Sequence, residues 1–251
     1  MFYLYFCSKE DEAALAVSVA RLQQIEPCAR IFVAVDNDLT RRAQVPQGCH
    51  AVPIVLHRVP ARPGLPAAAF DLQSVTAMLG LMQTIMETYG ETHILKLDAD
   101  MFCNDMRLLL PGETVAPDLP EPDFVAPEAA RPRLPGPGCF RISLYAVRWC
   151  LNCIRRGHII HRWPAGPYAE NIFLYHLMAQ SRMPLHLIPF VTGYLAGYTQ
   201  TAAGIPEPVR TAGLIHCGEP LTSGTRAPRE LVLTRMLLLR TLLNPTVQNN
   251  I

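Results

Sequence analysis

The sequence predicts a single α/β domain in which a mostly parallel sheet is flanked by helices. Short apolar runs alternate with longer stretches of helical periodicity, which is the order expected for parallel strands joined by crossover helices. The 251 residues suit one large domain, and half of them are hydrophobic, which is enough to bury a sizeable core.

The predicted strands are short apolar runs bounded by polar or turn-forming residues. In chain order they cover residues 2–6, 31–35, 52–56, 94–97, 124–126, 139–143, 185–190 and 214–216. Residues 111–137 are rich in proline and acidic residues, and we expect a surface excursion there. Ligands of such sheets bind beyond the carboxyl ends of the strands, where Asp36 and Asp98 stand.

The predicted helices are stretches in which apolar residues recur every three or four positions. They cover residues 11–24, 71–89, 144–156, 168–181 and 228–243. Ser8 is placed to cap the first of these helices, and Gly90 is placed to end the second.

The charge balance argues against nucleic acid as a partner. Lys and Arg total 22 against 21 Asp and Glu, so the net charge of +1 does not attract a polyanion. The eight cysteines lie mostly in apolar runs, and we interpret them, including the pair Cys150-x-x-Cys153, as reduced core thiols. With no signal peptide and no apolar run long enough to span a bilayer, a cytoplasmic location is predicted.

The most informative motif is Asp98-Ala99-Asp100, directly after the 94–97 strand. Residues i and i+2 of an extended chain face the same side, so the two carboxylates converge where the strand ends. Adjacent carboxylates repel each other unless a cation or a proton intervenes, and Mg²⁺ or Mn²⁺ with substrate phosphates is the usual partner. We therefore predict a divalent-metal site, with solvated turn carboxylates as the alternative. Lys96 shares this face, and we interpret it as a solvated or ion-paired lysine without an assigned role.

Two other chemistries use the same motif, and the sequence argues against both. An EF-hand loop beginning at Asp98 would need glycine and glutamate at the positions that Cys103 and Leu109 occupy. A phosphatase of the haloacid dehalogenase type carries the motif near its N-terminus and needs further acids downstream, whereas no aspartate follows Asp123 here.

A strand that ends in D-x-D at residue 98, after several strand–helix units, resembles the GT-A glycosyltransferases. The resemblance implies a nucleotide-diphosphate sugar as donor, often a UDP-sugar, with Mn²⁺ or Mg²⁺ as cofactor and a glycan or lipid-linked glycan as acceptor. It also implies a nucleotide-binding half at residues 1–104, an acceptor-side half at 105–226 and a C-terminal helix within 227–251.

Two later elements are similar to functional parts of that fold. His216, in His216-Cys217-Gly218, resembles a late histidine that completes the metal shell; a buried or capped neutral imidazole is the alternative. Glu170 resembles the acid that begins an acceptor-side helix, where it would be catalytic; the usual pair is Glu-Asp, and Asn171 takes the second place here. A simple charge at a helix start is the alternative for Glu170. The preceding Pro- and Gly-containing loop predicts an accessible helix start.

The resemblance also implies donor contacts on the first strands. By position, Cys7, Ser8, Asp36 and Asn37 would lie near the nucleoside, and Asp98 would reach the diphosphate through the metal. The predicted activity is glycosyl transfer, with Glu170 as general base in an inverting enzyme or as a sugar-orienting carboxylate in a retaining one.

Two rival functions remain open. A nucleotidyltransferase would show a Gly- and Arg-rich phosphate loop near the N-terminus, which residues 6–10 lack. A nucleotide-sugar binding protein without turnover is compatible with the acid that is missing at Asn171.

The C-terminal helix carries a broad apolar surface with Arg229, Arg235 and Arg240 interspersed. Such a helix can pack on its own domain or on a second subunit, which we favour, or it can lie on an anionic membrane surface as a peripheral contact.

Overall fold

The computed structural model describes residues 1–55, 72–105, 121–127, 138–158, 169–188, 212–218 and 228–243. Its strands are β1 (Phe2–Cys7), β2 (Arg30–Asp36), β3 (His50–Ile54), β4 (His93–Asp98), β5 (Met101–Cys103), β6 (Phe124–Pro127), β7 (Phe140–Ser143), β8 (Leu185–Ile188) and β9 (Leu214–His216). Its helices are α1 (Glu12–Ile25), α2 (Leu72–Tyr89), α3 (Leu144–Arg155), α4 (Ala169–Gln180) and α5 (Arg229–Leu242), and a short 3-10 turn (Lys9–Asp11) precedes α1.

The predicted elements are present with ends that differ by one or two residues wherever the chain is described. Parts of the predictions at residues 56, 71, 168 and 189–190, and most of the 111–137 excursion, lie outside the described residues. Strand β5 was not predicted, because its three residues follow the aspartate motif without a polar boundary that would separate them.

Within the described residues, seven strands form one sheet in the order β3-β2-β1-β4-β7-β6-β8. Six of them run in the same direction, and only β7 is antiparallel to its neighbours. Helices α2, α3 and α4 cover one face of the sheet, and α1 covers the other. The predicted α/β class, with a mostly parallel sheet flanked by helices, is confirmed.

Side chains alternate between two cores along the central strands, as the period of an extended chain requires. In β1, Leu4 and Phe6 face the core beneath α2, whereas Tyr3 and Tyr5 face the core beneath α1. All four are buried, so the strand is apolar on both faces, as expected for a parallel strand that is covered on both sides.

The predicted end of α2 at Gly90 is confirmed, and the predicted cap of α1 by Ser8 is wrong. Gly90 ends α2 with φ +71°, and the N–H of Glu91 donates to Met86 O at 2.9 Å. Ser8 does not cap α1, because the 3-10 turn separates it from that helix; its hydroxyl donates to the Asp11 carboxylate at 2.9 Å.

A two-stranded antiparallel ribbon of β5 and β9 lies at the carboxyl end of the large sheet. Its register places Met101 opposite His216 and Cys103 opposite Leu214. The ribbon therefore carries the end of β9 back to the turn that contains Asp100.

Helix α5 packs on its own domain. Val232, Met236 and Leu239 are buried against α1 and the β5–β9 ribbon. Arg235, one of the arginines interspersed on this helix, is buried at 1 % exposure and donates to Cys217 O at 2.7 Å. Across the described part of the chain, no helix is long and apolar enough to cross a membrane.

All eight cysteines are free thiols. Six are buried in the packed interior, as predicted for core residues, while Cys28 is exposed and Cys49 is half-buried.

Candidate functional site

The carboxyl edge of the sheet brings three candidate metal ligands together. Asp98 ends β4, Asp100 follows in the turn to β5, and His216 ends β9. One ligand atom from each residue lies within 4.8 Å of the others, and His216 Nε2 is 3.3 Å from Asp100 Oδ1. The N–H of Cys217 donates to Asp100 O at 3.0 Å, which ties the end of β9 to the aspartate motif.

This donor set fits a divalent cation. Two carboxylates and an imidazole are ligands that Mn²⁺ and related ions accept, and Mg²⁺ favours the carboxylates. Ligands about 2.1 Å from a common ion lie up to roughly 4.2 Å apart, so a small side-chain adjustment would place all three atoms on one ion. Asp100 and His216 are buried, whereas the Asp98 side chain is 31 % exposed. The cluster is therefore open on the side of Asp98.

Two glycines make room for the carboxylates. A Cβ atom at Gly138 would lie 1.6 Å from Asp98 Oδ2, and one at Gly218 would lie 2.1 Å from Asp100 Oδ2. Gly138 also has φ +27°, a backbone conformation that is unfavourable for residues with a Cβ atom. The contact of these glycines with the aspartates follows only from the tertiary structure.

Lys96 lies beneath the cluster and connects it to α4. Its side chain is fully buried, and its Nζ donates to Asp98 Oδ1 at 2.6 Å and to Gly138 O at 2.6 Å. The same nitrogen is 3.5 Å from Glu170 Oε1. Lys96 is therefore ion-paired, as one of the two interpretations of the sequence held, and it is not solvated.

Glu170 is in the first turn of α4, as predicted. Its carboxylate is buried, however, whereas the sequence predicted an accessible helix start. Glu170 is 6 % exposed and faces Lys96 on the α2 side of the sheet. The neighbouring Asn171 is also buried, and its side-chain Nδ2 donates to Cys139 O at 3.5 Å. Glu170 therefore belongs to the same cluster as Asp98 through a shared lysine.

Burial and charge act in opposite directions on the pKa values of this cluster. Burial raises the pKa of Glu170, and the ammonium of Lys96 opposes that rise only in part. Burial alone would lower the pKa of Lys96, but the carboxylates of Asp98 and Glu170 outweigh it, so its pKa is raised. Lys96 thus stays charged. Burial also raises the pKa of Cys139 well above that of a free thiol, so that side chain remains protonated.

Buried arginines support the ribbon that carries His216 and adjoins the turn of Asp100. Arg235 of α5 donates to Cys217 O, next to His216. Arg21 of α1 donates to Cys103 O at 3.1 Å and to Leu243 O at 3.3 Å, which joins β5 to the end of α5. No pattern in the sequence marks either arginine, because each contacts backbone carbonyls that are distant along the chain.

The predicted donor contacts lie at the same edge of the sheet. Cys7 ends β1 beside β4, and its thiol donates to Ser8 O. Asp36 ends β2, where its Oδ1 accepts the N–H of Asp38 at 3.0 Å, and the Asn37 N–H donates to Ile54 O. Cys7 and Ser8 therefore lie at the end of the strand next to β4, whereas Asp36 and Asn37 lie at the end of β2, one strand further from Asp98.

The chain has the GT-A type of fold, with an Asp-x-Asp motif at the carboxyl edge of its sheet. Among solved structures, it is similar to a glycosyltransferase involved in the glycosylation of the major capsid of PBCV-1. The identity is 12 %, the TM-score is 0.54, and the match covers 94 % of this chain and 98 % of the other. No family model and no curated protein matches the chain by sequence.

Two further solved structures that are similar to the chain are also glycosyltransferases by their names. The galactosyltransferase LgtC, in complex with donor and acceptor sugar analogs, matches at 10 % identity and TM-score 0.53, covering 94 % of this chain and 95 % of the other. The apo form of glycosyltransferase GlyE from Streptococcus pneumoniae TIGR4 matches at 15 % identity and TM-score 0.53, covering 99 % of this chain and 63 % of the other. At these identities the likeness concerns the fold.

Proposed function

We propose that the protein is a metal-dependent glycosyltransferase that moves a sugar from a nucleotide-diphosphate sugar, a UDP-sugar, to a hydroxyl of a glycan or lipid-linked glycan. The observation that carries this proposal is the convergence of Asp98, Asp100 and His216 at the ligand edge of a GT-A-type sheet. The fold neighbours that are glycosyltransferases support it, one of them with donor and acceptor sugar analogs bound. In this proposal residues 1–104 bind the nucleotide and residues 105–226 face the acceptor.

Asp98, Asp100 and His216 would hold Mn²⁺ or Mg²⁺ on the donor diphosphate. The bound ion supplies positive charge to the departing diphosphate, which is the Lewis-acid role of a metal in group transfer. Asp98 is the more exposed of the two aspartates, so its side of the cluster faces the donor. The nucleoside would lie at the carboxyl ends of β1 and β2, near Cys7, Ser8, Asp36 and Asn37.

Glu170 is the carboxylate that we assign to the sugar. Its raised pKa suits a group that accepts a proton from the acceptor hydroxyl in an inverting reaction. In a retaining reaction, the same negative charge would orient the sugar or stabilise an oxocarbenium-like state. Lys96 holds the Glu170 carboxylate in one position, and because that carboxylate is buried, a substrate would have to displace the groups that cover it in either case.

A thermal-shift screen of nucleotide-sugars with and without Mn²⁺ tests the donor and the metal together. A ligand present at 100 times its Kd stabilises the folded state by about 2.7 kcal/mol. At roughly 2–4 °C per kcal/mol for a chain of this size, the true donor should raise the Tm by about 5–10 °C, and only with the metal.

Two matched variants decide whether the shift comes from the proposed site. Asp100→Asn keeps the shape of the side chain and should lose the shift. Glu87→Gln removes an exposed acid that pairs with Arg148 away from the cluster, and it should keep the shift. An equal shift in Asp100→Asn would contradict the assignment.

Turnover separates an enzyme from a binding protein. Slow hydrolysis of the stabilising UDP-sugar in Mn²⁺, measured as UDP release, is expected of a transferase without its acceptor. Tight binding with no hydrolysis and no transfer to any glycan would favour the non-catalytic alternative that Asn171 leaves open.

A further inference from the structure

We propose that Lys96 is the internal counter-cation of this site. It positions Asp98 and Glu170 relative to each other, and its positive charge repels the divalent ion at Asp98. The inference rests on the proposed function, and it concerns a residue that contacts neither the ion nor the sugar in that proposal. Lys96 is therefore a positioning residue.

The ammonium of Lys96 has three N–H groups, and the structure supplies three acceptors for them. They come from three separate parts of the fold: Asp98 Oδ1 at the end of β4, Gly138 O before β7, and Glu170 Oε1 in the first turn of α4. A buried ammonium without such partners would be very unfavourable, so the lysine, once buried, requires this arrangement. The lysine thus sets the spacing between the two carboxylates.

Asp98 is confined on both of its oxygens. Its Oδ1 accepts from Lys96, and its Oδ2 lies so close to Gly138 that a Cβ there would be 1.6 Å away. Lys96 also binds the carbonyl of that same glycine, so lysine, aspartate and glycine hold one another. The orientation that Asp98 presents to an ion is therefore determined by Lys96.

The charge of Lys96 is shared between Asp98 and Glu170. Among the residues that the structure describes, Lys96 is the lysine or arginine that forms ion pairs with these two carboxylates. A positive charge in contact with a metal ligand repels the incoming ion, and a neighbouring charge at such distances changes a binding equilibrium by about tenfold or more. Lys96 should therefore lower the affinity of the free protein for the ion while it orders the site for transfer.

This role makes an unusual pair of predictions for Mn²⁺ affinity. Lys96→Met keeps an unbranched apolar stem without the charge, and it should bind Mn²⁺ about tenfold more tightly although transfer is lost. Glu170→Gln leaves more of the lysine charge directed at Asp98, and it should bind Mn²⁺ about threefold more weakly although Glu170 is not a ligand. General damage to the site would weaken binding in both variants.

The experiment is a Mn²⁺ titration of the free protein without nucleotide-sugar, followed by the electron paramagnetic resonance of unbound Mn²⁺. Arg141→Met is the matched control, because Arg141 is a buried cation that pairs with Glu121 on the opposite face of the sheet. It should lower the Tm and leave the Mn²⁺ affinity unchanged.

Opposite shifts in Lys96→Met and Glu170→Gln support the inference. Unchanged or weaker binding in Lys96→Met overturns it while the proposed function stands. If Lys96→Met does not fold, Glu170→Gln decides the question, because unchanged or tighter binding in that variant also overturns it. A wild-type protein that binds no Mn²⁺ overturns both the inference and the proposed metal site.

Discussion

Gly218→Ala places one methyl group against the metal cluster and nowhere else. The added Cβ would lie 2.1 Å from Asp100 Oδ2, 3.0 Å from its Cγ and 3.4 Å from His216 Nε2. Since ordinary van der Waals contact begins near 3.4 Å, the Asp100 carboxylate must move by roughly 1 Å. Gly218 does not have a left-handed backbone, so the effect is steric and not conformational.

The size of the effect follows from how little Asp100 can move. It is 3 % exposed, and overpacking a buried site costs about 1–3 kcal/mol, or several degrees of Tm for a chain of this size. Metal–ligand distances lie within about 0.2 Å of their ideal values, so a displacement of roughly 1 Å disturbs the coordination. Mutations beside the ligands typically cost 10–100-fold in metal affinity, on the order of the loss expected here.

Mn²⁺ titration and the Tm in EDTA, measured on the same preparation, separate metal binding from folding. Gly80→Ala is the control, because a Cβ at Gly80 in α2 meets nothing within 4 Å. That variant should bind Mn²⁺ normally and gain about 0.5–1 kcal/mol of stability from helix propensity. A folded Gly218→Ala protein with wild-type Mn²⁺ affinity would refute the reasoning, since the methyl group would then have displaced something other than Asp100.

Four further predictions concern the same site and the C-terminal helix. Asp100→Ala should lower transfer by at least ~100-fold, the scale of losing one electrostatic stabiliser, and excess EDTA should do the same to the wild type; full activity in either assay would exclude the metal. His216→Ala should be milder and partly restored by higher Mn²⁺, which a titration of activity against Mn²⁺ measures. Glu170→Gln should keep donor affinity at saturating Mn²⁺ and lose transfer. Normal transfer, with a lower Tm that corresponds to a loss of about 1 kcal/mol or less in the free energy of unfolding, would make Glu170 structural. Because α5 buries its apolar side on the domain, the intact protein should not sediment with anionic liposomes, and co-sedimentation would show a membrane contact.

The two faces of the central strand β4 explain why the site could be predicted only in part. Lys96 and Asp98 share a face, as the i and i+2 rule requires, and that much is readable from the sequence. The rule does not say whether the face is exposed to solvent or buried. Packing of α3 and α4 buries this face, and because Lys96 is buried it must pair with Asp98 and Glu170.

Arg235 shows the opposite case, in which a local pattern misleads. Its charge places it with the polar side of an amphipathic helix, yet it is buried and donates to Cys217 O. A buried carbonyl that needs a donor outweighs the preference of arginine for water, and that carbonyl belongs to a distant segment.

The sequence alone determined the order of strands and helices apart from β5, the class of fold and the aspartate pair, because each depends on residues close together in the chain. Hydrophobic periodicity sets the elements, and the two-residue repeat of an extended strand brings Asp98 and Asp100 to one side. Only the tertiary structure decided that His216 meets Asp100, since this depends on the pairing of β5 with β9. It also decided that Gly138 and Gly218 leave room for the carboxylates and that Lys96 is buried between Asp98 and Glu170. These contacts join segments far apart in the chain, and close packing of the whole domain, not local periodicity, selects them.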